Sequence, residues 1–325
     1  MRRLAAAVLT GALVVSGCAT EENPADPLQV AATLEPARPA VSPAQSATPE
    51  GVVLPVGPAT AVAVAGGRVA VAVAEPPSVL LFPSSLAGPV TAALPGPAER
   101  LVAVGDAVEA TVPSAGVVVT VAPDGTSSSR SVSGGPVDVA RLGDLVLVAQ
   151  RDARQVSVLG GSGGEHVVRG ISSPDRLVVA GDAAVVLDRP RSAVFDLDPT
   201  SGTPGAGLRA GDGATNAVAD RFGRVFVVDT RGGELMSFST SPLIMRLRYP
   251  LPGAPYGMAY DADRDLLWVT LTERNEVVAF DVSGADPVER HRYAAVRQPD
   301  SVAVDPGSGR VFVASGDGQG MQVIG

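Results

Sequence analysis

The sequence predicts an all-β fold: a seven-bladed β-propeller, closed by an N-terminal strand, over residues 51–325. Three observations carry this prediction. A unit of about forty residues recurs seven times, each unit contains a near-continuous apolar strand, and a lone apolar strand precedes the first unit.

Residues 255–284, PYGMAYDADRDLLWVTLTERNEVVAFDVSG, show the unit most clearly: a short strand, a tight acidic turn, an apolar strand, a polar loop and a third apolar strand. Residues 299–315, PDSVAVDPGSGRVFVAS, repeat its first half. Openings of the same kind stand at Pro58, Pro97, Pro136, Pro174, Thr215, Pro255 and Pro299, at spacings of 39, 39, 38, 41, 40 and 44 residues. So regular a period marks a repeat architecture in which each unit buries its apolar surface against its neighbours.

The second strands are apolar on both alternating faces: RVAVAVA from Arg68, LVLVAQ from Leu145, VFVVD from Val225, LLWVT from Leu266 and VFVAS from Val311. Such runs require cover on both sides. No helical segment lies between strands to provide it, so sheets must cover sheets, as radially packed blades do. Third strands such as VLLF from Val79 and VVAFD from Val277 lie further out. Fourth strands are more polar, as an outer edge should be, for example EHVVRG from Glu165 and ERHRY from Glu289. The seventh unit supplies only three strands, and Gly51–Val56, GVVLPV, has no other place to go. Pairing it with the seventh unit closes the ring and removes both edges. Pro55 suits that outer position, where proline costs no ladder hydrogen bond.

The unit resembles the YVTN and NHL families of propeller repeats. The likeness rests on the P-x-G-M-A-Y-D opening, the W-V-T second strand and the N-E-V-V-A-F-D third strand within residues 255–281. It extends over residues 51–325 and is loosest in blades two to four. The resemblance implies a propeller and leaves function open, because these families include binding modules, scaffolds, lactonases and lyases.

Residues 1–17 read as a signal peptide: a basic start at Arg2 and Arg3, a short apolar stretch from Leu4 to Val15, then small residues. The stretch is too short to span a bilayer, which takes roughly 20 apolar residues. Val15-Ser16-Gly17-Cys18 resembles a bacterial lipobox, which implies that Cys18, the only cysteine, is diacylated and anchors the protein on the extracytoplasmic side of the cell membrane. Residues 18–50, with six prolines after Cys18 and no apolar periodicity, read as the lipidated cysteine and a disordered Pro/Ala-rich tether. The 25 basic residues are all arginine, which with the many Ala, Gly and Pro residues points to GC-rich coding and an actinobacterial source.

Composition excludes several chemistries. Without lysine there is no Walker loop, Schiff-base nucleophile or Ser-Lys dyad. The net charge of −9 becomes −11 once the first 17 residues are removed, which argues against nucleic acid or anionic lipid as a partner for the folded body. The two histidines, His166 and His291, fall in fourth strands far from the axis, so no zinc signature is available. Gly160-Gly161-Ser162-Gly163-Gly164 has the letters of a nucleophile elbow but joins a third strand to a fourth, where a hairpin is expected. The carboxylates of Asp261, Asp263 and Asp265, and of Asp196 and Asp198, read as turn residues.

Function is expected at the mouth of the central channel, where loops from distant repeats meet. The openings place Ala59, Ala98, Val137, Asp175, Asn216, Tyr256 and Asp300 in equivalent positions there, followed by Thr60, Glu99, Asp138, Arg176, Ala217, Gly257 and Ser301. Loops between second and third strands add arginines, among them Arg151, Arg189, Arg231 and Arg274. The expected binding residues are Asp175, Arg176, Asn216, Tyr256, Asp300, Arg231 and Arg274. The leading reading is a monomeric, non-catalytic binding or scaffold lipoprotein without a cofactor, which holds an envelope protein, peptide, glycan or small anion at this polar face. The alternative is a hydrolase or lyase of the propeller lactonase type, with Glu99, Asp138, Asp175, Asn216 and Asp300 gripping a divalent cation, calcium rather than zinc.

Overall fold

The computed structural model describes residue 28 and residues 34–161 and 164–325. Cys18 and residues 1–17, expected to form a signal peptide, lie outside these, as do Ser162 and Gly163 of the glycine-rich run expected to form a hairpin. The described chain is all β but for one turn of 3-10 helix at Pro113–Ala115.

Seven four-stranded antiparallel sheets form a ring. Their innermost strands are Ala59–Ala65, Arg100–Val104, Pro136–Leu142, Arg176–Ala180, Ala214–Ala219, Pro255–Asp261 and Pro299–Val304, in blades 1 to 7. Each packs against the innermost strands on either side, and the first touches the last, so the ring is closed. Each blade runs outward in chain order through hairpins. Blade 7 is completed by Val52–Leu54, which pairs antiparallel with Met321–Ile324 in the register Val52 to Val323 and Leu54 to Met321.

Burial follows the apolar pattern. Leu266–Leu271 is buried at every position, and Arg68–Val73 at all but its first. Outer strands such as Ser127–Ser131 are exposed throughout. Among the described residues the buried side chains gather into seven clusters, one at each interface between adjacent blades. They are built largely from Val, Ala and Leu, which lets sheets of four short strands stack closely.

One sequence expectation is corrected. The segment from residue 34 to residue 50 is not a free tether but lies across the loops of blades 4 to 7. An extended chain has no internal hydrogen bonds, so its carbonyls must find donors elsewhere. The blade loops supply them: Arg231 to Glu35 O, Arg189 to Ala37 O, Gln298 to Ala40 O, and both Arg297 and Asn275 to Pro43 O. Ser42 is buried, its hydroxyl donating to Thr272 O at 2.6 Å and its amide to Gln298 Oε1 at 3.0 Å. The Glu50 amide donates to Ala294 O and leads directly into the closing strand.

Candidate functional site

A common backbone device turns the blade openings toward the axis. In blades 1, 3, 5, 6 and 7 the ladder between the first two strands breaks register at the opening, between Ala59 and Ala61, Pro136 and Asp138, Ala214 and Asn216, Pro255 and Met258, and Pro299 and Ser301. In blades 2 and 4 the amides of Glu99 and Asp175 bond to the carbonyls of Thr111 and Leu187, the residues that Arg100 and Arg176 already face in the ladder. An extra residue in a strand bends it and re-aims its side chains. The result is a cavity of about 600 Å³ at the channel mouth. Five of the predicted residues line it: Asp175, Arg176, Asn216, Tyr256 and Asp300.

The wall formed by blades 2 to 4 is cationic. Arg100, Arg176 and Arg189 all line the cavity. Beneath them the buried carboxylate of Asp138 accepts the amides of Val139 at 3.0 Å and Leu177 at 2.9 Å, and lies 3.7 Å from the Nε of both Arg100 and Arg176. One carboxylate is thus shared by two guanidinium groups. Arg189 has no carboxylate partner among the described residues, and its side chain donates only to Ala37 O. Among the described residues the Nε atoms of Arg100 and Arg189 are buried without an acceptor. Burial, reinforced by repulsion from Arg100, pushes Arg176 down to about 9, with Asp138 opposing. Burial lowers Arg100 as well.

The other acids on this side, Glu99 and Asp175, also line the cavity and pair with Arg151. Arg151 donates from Nε to Asp175 Oδ1 at 2.6 Å and from both terminal nitrogens to the Glu99 carboxylate, with Nη1 to Oε2 at 2.9 Å. Burial pulls Arg151 down, but Glu99 and Asp175 together hold it above its ordinary value. The remaining oxygen of Asp175 accepts the Arg189 amide at 3.0 Å.

Across the axis, blade 7 presents Asp300. Gln298 Nε2 donates to it at 2.8 Å, and among the described residues no guanidinium pairs with it. Burial raises its pKa to about 6, with the Gln298 hydrogen bond opposing and Asp317 adding to the rise. Asp317 is held by Arg297 and by the Ser315 hydroxyl. Gly316 packs so closely on the Asp300 carboxylate that any side chain there would displace it. The neighbouring Ser301 hydroxyl is buried with no partner among the described residues. Tyr256 stands between the two walls. Burial raises its pKa, Arg189 and Arg176 pull it down, and Asp300 and Glu99 push it up. Asn216 donates to Tyr256 O at 2.9 Å and fixes that strand's entry.

Arg231 and Arg274 do not line the cavity. Arg231 is exposed and donates to Asp212 O and Glu35 O. Arg274 is exposed and packs over Gly253. The carboxylates expected to grip a cation do not converge: Glu99, Asp138 and Asp175 each face guanidinium groups. Among the described residues no three acidic or histidine side chains gather into a set that suits a metal. Both histidines sit in fourth strands, His166–Arg169 and Val288–Ala294. Arg100 and the bridging role of Arg151 escaped the sequence reading, because aligning the openings stopped one position short of Arg100 and could not assign the partner of Arg151.

No protein-family profile and no curated protein matches the chain. Solved structures match it in fold. A catalytically inactive virginiamycin B lyase from Staphylococcus aureus with quinupristin is similar at a TM-score of 0.68 and 13% identity, over 85% of this chain and 98% of that one. Hydrazine synthase of Kuenenia stuttgartiensis is similar at 0.70 and 14%, over 84% and 97%. The β-propeller domain of Myceliophteria thermophila Cps50 (Swd1) is similar at 0.68 and 8%, over 84% and 97%. At such identities the likeness establishes the seven-bladed propeller and nothing about activity.

Proposed function

We propose that this protein is a lipid-anchored envelope lipoprotein whose propeller is a non-catalytic binding module, and that it captures a small anionic ligand at the channel mouth. One observation carries the binding reading. The guanidinium groups of Arg100, Arg176 and Arg189 meet at one cavity; among the described residues the only carboxylate within ion-pair distance of them is Asp138, shared by Arg100 and Arg176, the lining acids Glu99 and Asp175 are held by Arg151, and two of the three arginines keep a buried Nε without an acceptor. A buried donor without a partner costs about 1–3 kcal/mol, more when charged, and an anion supplying the missing acceptor recovers that cost. The metal-dependent hydrolase or lyase reading needs free carboxylates, and those at this wall are engaged by arginine.

The binding half is tested by thermal denaturation with small anions and neutral molecules of the same size, such as succinate against succinamide. The expected result is a melting temperature that rises with succinate concentration and not with succinamide. Equal responses, or none, contradict it. The anchor is supported by the lipobox-like sequence ending at Cys18. With Cys18→Ala the protein is expected to leave the detergent phase for the aqueous phase, and unchanged partitioning contradicts lipidation.

A further inference from the structure

The two walls of the mouth carry opposite, incompletely paired charges. On one side stand Arg100 and Arg176, which share Asp138, and Arg189, which pairs with no carboxylate among the described residues, while Glu99 and Asp175 are held by Arg151; on the other stands Asp300, with an amide partner and no cation among the described residues. Blades 4 and 7 are three places apart in a ring of seven, so Arg176 and Arg189 lie across the axis from Asp300. An anion seated among the arginines answers the first wall only. Asp300 still lacks a counter-charge, and its neighbours Ser301 and Tyr256 offer hydroxyls rather than a cation.

From this we infer that the ligand is a zwitterion of the short-peptide class, its free carboxylate held by Arg100, Arg176 and Arg189 and its free ammonium by Asp300. The inference rests on the anion-binding reading above and adds the second charge. A free α-amino acid carries its ammonium and carboxylate on one carbon and is the poorer match for groups on opposite sides of the axis. A peptide of a few residues separates its termini. Between the walls the lining offers Ala59, Ala61, Val62, Ala98, Met258 and Val302, which suit a weakly polar body with small side chains. A dicarboxylate of the same length would meet Asp300 as a like charge, whereas the ammonium of a zwitterion meets it as an opposite one.

Chemical capping of the ligand, with the full wild-type chain throughout, is the test, because no protein variant then has to fold. Calorimetry is run with trialanine, N-acetyl-trialanine, trialanine amide and phosphate. The expected result is binding of trialanine with at least tenfold weaker binding of both capped forms. If N-acetyl-trialanine binds as tightly as trialanine, the ammonium contributes nothing; the zwitterion inference falls while anion capture stands. The same follows if phosphate binds and trialanine does not. If the amide binds as tightly as trialanine, or if none of the four binds, the anion reading falls too. As a second check, Asp300→Asn is expected to weaken trialanine at least tenfold and leave N-acetyl-trialanine unchanged or tighter. An equal loss for both ligands assigns Asp300 a structural role and overturns its part in recognition.

Discussion

Among the charged residues that line the mouth, Asp300 and Arg189 form no ion pair within the described chain, and both are held in place by neutral groups. For Asp300 the consequence is a pH dependence whose sign is fixed. Its carboxyl titrates near 6 in the folded protein against an ordinary value of 3.8, so between those values the folded state holds a proton that the unfolded state does not. The stability tied to that proton is fully present below 3.8 and is lost as pH rises through 6. Asp188, also raised to about 6 by burial, acts in the same direction. At about 1.4 kcal/mol per pKa unit the Asp300 contribution is at most roughly 3 kcal/mol, a few degrees in melting temperature. Calorimetric scans at pH 5 and pH 7.5 are therefore expected to show a smaller loss for Asp300→Asn than for the wild type. Parallel losses in the two proteins would refute the assignment.

At the scale of elements, the strands were legible in the sequence and the segment before them was not. The blades announce themselves because burial on both faces forces apolar residues into every second strand, and tight turns force Asp, Gly and Pro between them. The closing strand was legible as an orphan, although its side chains contribute less than an inner strand's: Val52 and Val53 stay largely exposed, and Val56 is the buried anchor. Residues 34–50 left no such trace, because they are held mostly by their own carbonyls accepting from loop donors, with Ser42 their one buried polar side chain. Hydrogen bonds from the main chain impose no side-chain pattern. At roughly 1 kcal/mol for each buried bond, less the cost of ordering the segment, a chain starting at Gly51 is expected to melt a few degrees below the full chain. A chain starting at Gly57 is expected to melt lower still, since it also lacks Val56 and uncovers the edge at Met321–Ile324. Equal melting of the full chain and the Gly51 chain would mean that the segment's contacts do not stabilise the fold.

For the whole molecule, the ring does what no single repeat can: it brings Arg100, Arg176 and Arg189 within one cavity and sets Asp300 opposite. The sequence indicated which residues open each blade, and so Asp175, Arg176, Asn216, Tyr256 and Asp300 at the mouth, because the period locates them. It did not indicate which charges cancel. That depends on Arg151 reaching from one blade to Glu99 and Asp175 on two others, and on Asp138 lying beneath two arginines from neighbouring blades. Such pairings arise from ring geometry, whereas Arg231 and Arg274, equally plausible by position, fall outside the cavity. The central claim, anion capture by the unshared positive charge of this mouth, is tested most directly by titrating succinate into the wild type and into Arg189→Gln in a calorimeter. Arg189 is the suitable position because among the described residues no carboxylate depends on its side chain, so its loss strands no opposite charge there. Saturable binding to the wild type, weakened at least tenfold in Arg189→Gln, is the predicted result; identical isotherms for the two proteins, or no heat from either, would contradict it.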